Sequence, residues 1–407
     1  MGRLLISVDA RPLCSPVSGV SRIIQQVIEN LQGDFWFRLH AQSDHHPDYD
    51  ALVRRSDVEW STGTGPLSRT GGTDFNIRLV RQLRQNPPDV FWGTQQVLPP
   101  MLPSRTGAVL TFHDFVAYRF PDSMRRAARW QQKAVQSYSV KRADLILANS
   151  AQTKREILER YSYDRQRIIV AHPGVTAPSR NAPEVDDAFL DQLRQTDPES
   201  LGSHRRSRNA RRSPVAPFML ACSTVEPRKN YGLLLDAYER YCELGAQEGH
   251  IPLGLVIAGR KGWESDSFYS SFQEKLERLP GLHWPNSGAG VSDAELQWLY
   301  HNCAFFVIPS LYEGFGIPLL DAMAHRKPAL VSDLGCFHEI AGNRAKYLPV
   351  DRADLWAHAM LDQDIALRKG KTSIRWNARD WSWKKTAQHH GEAFQNSFEM
   401  RNGSPDL

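Results

Sequence analysis

The chain has 407 residues, 41% of them hydrophobic and 10% aromatic, enough for two substantial cores and too long for one ordinary domain. No apolar run reaches the roughly 20 residues that span a bilayer, and the N-terminus enters a strand pattern instead of a signal peptide, so a cytoplasmic protein is expected. Five cysteines with no CxxC pair exclude a disulfide framework and a zinc site, and a formal charge of +5 favours anionic partners without choosing among them.

Read in chain order, short β-type runs alternate with helical patterns, which argues for parallel α/β sheets. The first run, Leu4 to Val8, leads into Asp9-Ala10-Arg11-Pro12. Ser18-Gly19-Val20-Ser21-Arg22 then opens a helix whose apolar stripe runs through Val20, Ile23, Ile24 and Val27. Gly19 lets backbone amides approach a phosphate, although a turn requirement explains a lone glycine as well. Further strands are expected at Phe35 to Leu39, Val90 to Trp92, Ala108 to Phe112, Leu145 to Ala148 and Ile168 to Val170. Thr111-Phe112-His113-Asp114 sets His113 at a strand's carboxyl end, where α/β sheets place ligands.

Residues 176–216 are polar and end in the basic run His204 to Arg212, with little to bury. They read as a disordered insertion, either a solvated linker or an electrostatic tether to anionic lipid. Strands then resume at Phe218 to Ala221, Leu253 to Ala258, Ala304 to Ile308 and Pro328 to Ser332, and the tail from Asp380 to Phe398 reads as a terminal helix. The expected organisation is an N-terminal Rossmann-like domain over 1–175, the insertion over 176–216, a second Rossmann-like domain over 217–378, and a C-terminal helix and tail over 379–407.

Two segments of the second half carry charge where a phosphate would sit. Ser223-Thr224-Val225-Glu226-Pro227-Arg228-Lys229-Asn230 precedes a helix, with Asn230 as the expected cap and Leu233, Leu234, Ala237 and Tyr238 as its buried stripe. The helix N-terminus itself favours anions, so a bound diphosphate gives a reason for Arg228 and Lys229; an exposed surface pair is the alternative. The stretch Pro309 to Asp321 holds two carboxylates eight positions apart around a glycine turn. Glu313 can accept from sugar hydroxyls, the turn Gly314-Phe315-Gly316-Ile317 presents helix amides to a diphosphate, and Asp321 can reach a ribose diol. Asp362-Gln363-Asp364 has the form of a metal-binding DxD triplet, but lies among helix-forming residues far from a strand end, so no metal site is assigned. His338-Glu339-Ile340 opens a helix that Glu339 can cap.

These motifs, in this order, resemble the retaining glycosyltransferases of family 4, whose GT-B fold sets two Rossmann-like domains across a cleft with a C-terminal helix crossing back to the first. The resemblance runs from residue 4 to about 395, apart from the polar insertion and the acceptor-side loops around residues 40–75. It implies a catalytic set of Glu313, Lys229 and His113, with His113 on the donor sugar and Lys229 on the diphosphate. It also implies donor binding by Gly19, Glu226, Arg228, Lys229, Gly314, Phe315, Gly316, Ile317 and Asp321. Two positions depart from the family pattern: Asp321 replaces a glutamate, and Ser223 stands where many members carry an arginine. Same-face attack is the implied mechanism, in which the leaving diphosphate helps deprotonate the acceptor and no metal or cofactor is needed.

The first-half motifs look most like bacterial mannosyl- and rhamnosyltransferases of surface polysaccharide and lipopolysaccharide synthesis. The resemblance therefore implies a nucleotide sugar, first GDP-mannose, as donor and a glycan or polyprenyl-linked glycan as acceptor, with no nucleic-acid partner. The basic face Arg119, Arg125, Arg126, Arg129 and Lys133 can approach the inner membrane surface, and a solvated helix face explains it equally well. A non-catalytic sugar-binding scaffold and a GT-B sugar-nucleotide epimerase are the alternatives.

Overall fold

The computed structural model describes residues 2–31, 33–62, 72–120, 126–194, 215–370 and 373–403. These divide into two compact units, one of residues 1–175 with 379–407 and one of residues 176–378.

In unit one the strands are β1 (Leu4–Asp9), β2 (Phe35–Ala41), β3 (Val58–Thr62), β4 (Val90–Gly93), β5 (Gly107–Phe112), β6 (Leu145–Ala148) and β7 (Ile168–Val170). Helices α1 (Gly19–Asn30), α2 (Asp50–Val53), α3 (Gly72–Gln85), α4 (Val116–Arg119), α5 (Arg126–Arg142) and α6 (Ala151–Arg160) connect them. The sheet is parallel throughout, in the order β3-β2-β1-β4-β5-β6-β7. All residues of β4, β5 and β6 are buried, as apolar runs covered on both faces must be.

Unit two comprises β8 (Phe218–Cys222), β9 (Gly254–Ala258), β10 (Leu282–His283), β11 (Phe305–Ile308), β12 (Ala329–Ser332) and β13 (Ala345–Leu348). Its helices are α7 (Asp187–Arg194), α8 (Tyr231–Gln247), α9 (Asp266–Arg278), α10 (Asp293–Asn302), α11 (Ile317–Ala324), α12 (Gly335–Ala341) and α13 (Ala353–Arg368). The order is β10-β9-β8-β11-β12-β13, again parallel. One core joins the strands to α8 and α13 through Tyr238, Tyr241, Trp356 and Met360.

The last helix, α14 (Trp383–Asn402), returns to unit one, as the resemblance implies. Trp383 and Phe394 enter its core, and Phe394 lies edge-on to Phe35. At its far end Arg401 Nε donates to Asp144 at 2.9 Å and Ser397 Oγ donates at 3.1 Å, while the same carboxylate accepts from the Ala108 amide of β5. A single buried aspartate thus ties the last helix to the central strands.

The described part of 176–216 differs from the expectation of a disordered insertion at residues 187–194. Within them, α7 buries Phe189, Leu190 and Leu193 as an amphipathic stripe, and Gln192 exchanges hydrogen bonds with Asn286. The expectations for the basic run His204 to Arg212 fall outside the described residues. Glu339 also differs: α12 begins at Gly335 after Leu334, which places Glu339 inside the helix and not at its cap.

Candidate functional site

In a doubly wound sheet, ligands bind beyond the carboxyl ends of the strands where the strand order reverses. In unit two that point lies between β8 and β11. The loop after β8 enters a 3-10 turn, Pro227–Lys229, started by a proline whose fixed φ suits it. The loop after β11 runs from Pro309 to Gly316, where α11 begins with Pro318 in its first turn. Gly316 has φ +115, and a Cβ there would lie 2.6 Å from the Phe337 ring, so both conformation and space require glycine.

The two loops meet through charge. Glu313 is 6% exposed and Lys229 is equally buried. Glu313 Oε1 accepts from Lys229 Nζ at 2.5 Å and from Ser310 Oγ at 2.8 Å, and its Oε2 accepts from Arg228 Nη1 at 2.8 Å. Arg228 Nε pairs with Glu226 Oε1 at 2.6 Å, and the other Glu226 oxygen accepts from the Trp263 indole at 2.8 Å. Burial pushes the Glu313 carboxyl up, but Lys229, Arg228 and the hydrogen bonds outweigh it and hold the group at about 2. Glu313, Lys229, Arg228 and Glu226 therefore form one charge-balanced cluster, with Gly314, Phe315, Gly316 and Ile317 in the adjoining turn.

Asn230 does not cap α8 with its side chain. It adopts a left-handed conformation, φ 58, and its amide nitrogen donates to Pro309 O at 3.2 Å and Val350 O at 2.8 Å. The expected cap is instead a bridge between loops, reinforced by Leu311 N donating to Arg228 O at 2.7 Å. Ser223 is committed to Tyr231: the tyrosine hydroxyl donates to Ser223 O at 3.0 Å and lies 2.8 Å from Ser223 Oγ. Asp321 is 7% exposed on α11, and its carbonyl accepts from the His325 amide. The Asp362-Gln363-Asp364 triplet lies on α13, with Asp364 bonded to Tyr241 and Arg368 and Asp362 paired with Lys346.

His113 and Gly19 belong to unit one, where the order reverses between β1 and β4. Asp9, buried at the end of β1, accepts from Arg11 Nε at 2.8 Å and Nη2 at 2.6 Å, while its carbonyl accepts from Thr94 Oγ1 at 2.6 Å. His113 Nε2 lies 2.6 Å from Thr94 O. A carbonyl only accepts, so Nε2 carries the proton; burial lowers the pKa and the imidazole is neutral. Gly19 is the exposed first residue of α1, behind a capping box in which Ser18 and Ser21 satisfy each other's amides. Of the basic face, Arg119 pairs with Glu156 and Lys133 lies over the Tyr118 ring; Arg125 and the side chains of Arg126 and Arg129 fall outside the described residues.

Three positions of the site escaped the sequence. Ser310 was legible as a hydroxyl one turn before Glu313 within the same loop. Thr94 and Trp263 act across chain separations of 19 and 37 residues, and only the fold brings them to His113 and Glu226.

Two family descriptions match: Glycosyltransferase Family 4 over residues 17–177 and Glycosyl transferases group 1 over residues 205–362. The chain is 27% identical over 327 residues to O-antigen chain mannosyltransferase B of Escherichia coli, covering 80% of this chain and 74% of that protein. It is 30% identical over 176 residues to the serotype-specific mannosyltransferase WbdA of Escherichia coli, spanning 43% of this chain and 20% of that longer protein. The fold is similar to that of Anabaena HepE, solved in complex with UDP and glucose, at TM-score 0.66 and 15% identity, covering 97% and 99% of the two chains. With one parallel sheet in each unit and one family description matching each half, the chain carries a Glycosyltransferase Family 4 domain followed by a Glycosyl transferases group 1 domain, the two domains of a GT-B glycosyltransferase.

Proposed function

We propose that the protein is a retaining mannosyltransferase that moves mannose from GDP-mannose to a hydroxyl of a glycan or polyprenyl-linked glycan in surface polysaccharide synthesis. The buried Lys229, Arg228 and Glu313 cluster at the switch point of unit two is the observation that carries the reading. Mannose is favoured by the mannosyltransferase relatives.

In this reading Lys229 and Arg228 bind the diphosphate and stabilise the charge that grows as the anomeric C–O bond breaks. The amides of Gly314, Phe315, Gly316 and Ile317 at the start of α11 add further donors. The leaving nucleoside diphosphate keeps the bonding electron pair, the acceptor oxygen bonds to the anomeric carbon on the same face, and the acceptor proton passes to a phosphate oxygen. Glu313 positions the two cations and accepts from a sugar hydroxyl once a diphosphate draws them away. Glu226 orients Arg228, Asp321 binds the ribose, Gly19 lends a backbone amide to phosphate, and neutral His113 serves the transferred sugar. No metal ion or cofactor is required, because fixed cations carry the phosphate charge. No described helix is long and apolar enough to cross a membrane, and the proposed work at a lipid-linked acceptor is peripheral at the inner membrane face.

The test is calorimetric titration with GDP-mannose, UDP-glucose and dTDP-rhamnose, first without metal and then with magnesium, followed by NMR of the product's anomeric linkage. Selective metal-independent binding of GDP-mannose and an α-linked product are expected. Preference for another donor overturns mannose, and binding that appears only with magnesium overturns the metal-free reading.

A further inference from the structure

A pocket of about 520 Å³ in unit two is lined by Arg326, Arg344, Arg375, Ser373, Trp376 and Asn377, with no aspartate or glutamate in its wall. Arg326 comes just before β12 and Arg344 just before β13, so the pocket lies at the amino ends of the parallel strands. The Lys229 and Glu313 cluster lies at the carboxyl ends of the same sheet, and the two places are at opposite edges.

We propose that Arg326, Arg344 and Arg375 form a second anion site that binds a phosphate-bearing ligand. The three are exposed, and none forms an ion pair with a carboxylate among the described residues. Hydrogen bonds tie the segment that carries Arg375 to the loops that carry Arg326 and Arg344. Arg344 Nε donates to Arg375 O at 2.7 Å, the Ile374 amide donates to Arg326 O, and the Trp376 indole donates to Ile340 O at 3.0 Å. Three like charges repel, and a phosphate dianion satisfies them with paired N–H donors, the recognition that guanidinium geometry favours.

Arg326 adds an independent sign. The end of α11 closes with Lys327 N on Ala322 O and Arg326 N on Met323 O, the double bond of a Schellman motif. The left-handed position of that motif suits glycine, and here it holds an arginine at φ 57. Cations near the ends of α11 and α12 also complement the helix dipoles, which accounts for Arg326 and Arg344. It does not account for Arg375, which lies on no helix.

The phosphate can come free in solution or as a phospholipid headgroup, and half-buried Trp376 at the rim is compatible with either. The test compares the full-length protein with an R344Q/R375Q variant and with R326G. One arm titrates inorganic pyrophosphate calorimetrically and counts binding classes; the other pellets the protein with phosphatidylglycerol or phosphatidylcholine vesicles. K229A serves as the control for the nucleotide-sugar site, so that failure there is read separately. A pyrophosphate class that weakens about tenfold or more in R344Q/R375Q and persists in K229A supports a free phosphate ligand. Pelleting with phosphatidylglycerol alone, lost in R344Q/R375Q, supports a headgroup. Unchanged binding of both probes overturns the site. Because glycine fits the left-handed position, R326G is expected to raise the melting temperature while weakening the anion; full retention of binding in R326G overturns the part assigned to Arg326.

Discussion

Lys229 Nζ stands 2.5 Å from Glu313 Oε1 across 84 positions of sequence, each residue delivered by a loop at the carboxyl end of a central strand. Arg228 binds the other carboxylate oxygen, so one buried carboxylate holds two cations. Removing that charge leaves buried Lys229 without its carboxylate and Arg228 with Glu226 alone, which costs about 3–5 kcal/mol when a buried pair loses one partner. Glu313→Gln is therefore expected to lower stability by that order and to reduce transfer strongly. The pH dependence has a definite sign. With its carboxyl depressed from 4.5 to about 2, Glu313 contributes fully above pH 4.5, and the contribution, on the order of 3 kcal/mol, is lost as pH falls toward 2. Between pH 4.5 and 3 stability should fall more steeply in the natural protein than in E313Q; equal slopes in both would refute the assignment.

Asn230 joins the same loops by two side-chain hydrogen bonds while its backbone takes a left-handed conformation. These contributions separate by substitution. Asn230→Gly keeps the backbone relaxed and loses only the bonds, at about 1–3 kcal/mol. Asn230→Ala loses the bonds and adds the left-handed penalty, about 1 kcal/mol more. Denaturant midpoints should rank natural protein, N230G, N230A in falling order, and equal values for the two variants would discount the backbone conformation.

Asp321 lies on α11, beyond the turn that carries Glu313, with a side chain one methylene shorter than glutamate. On the proposed reading, a ribose diol bound at that distance is held loosely, before and during reaction alike, so the deficit would lie in ground-state binding. Asp321→Glu should lower the donor KM about tenfold, the scale of a hydrogen bond to a charged group, and leave kcat within roughly twofold. Steady-state kinetics with GDP-mannose decide this. An unchanged or higher KM removes Asp321 from the ribose.

Most strands were legible as unbroken apolar runs: Leu145 to Ala148, buried in the interior, and Ile168 to Val170, an edge strand with no polar residue, coincide with β6 and β7 residue for residue. The strands that escaped, β3, β10 and β13, all lie at sheet edges, where one side of each is half open and residues such as Glu59, His283 and Lys346 interrupt the run. Helix α7 was masked by its polar flanks, although Phe189, Leu190 and Leu193 carry helical spacing. Glu313, Lys229 and Arg228 were legible as charges beside turns. Their mutual pairing was not, since it depends on β8 and β11 being neighbours, a matter of sheet order with no local signal.

His390 of α14 lies inside unit one against Trp92 and Phe394. Its Nδ1 is 2.8 Å from Thr386 O and carries the proton, while Nε2 has no partner among the described residues. Burial, with smaller contributions from His389 and His113, lowers its pKa to about 4. A histidine depressed in the folded state binds its proton first when unfolded. Stability is then highest above pH 6.5, falls as pH drops toward 4, and levels off below, for a total on the order of 3 kcal/mol. His40, buried between Ser7 and Arg38 and also lowered to about 4, acts over the same window. Buried His113, also lowered, contributes below pH 6.5 as well. His390→Leu should therefore reduce the loss between pH 6.5 and 4 without abolishing it, and H390L combined with His40→Leu should reduce it further. The window lies above that of Glu313, so urea unfolding at pH 7.5, 6, 5 and 4.5 separates the two effects. A slope in H390L equal to that of the natural protein would mean that the ring is protonated in the folded state, and the packing of α14 on Trp92 would then have to accommodate a charge.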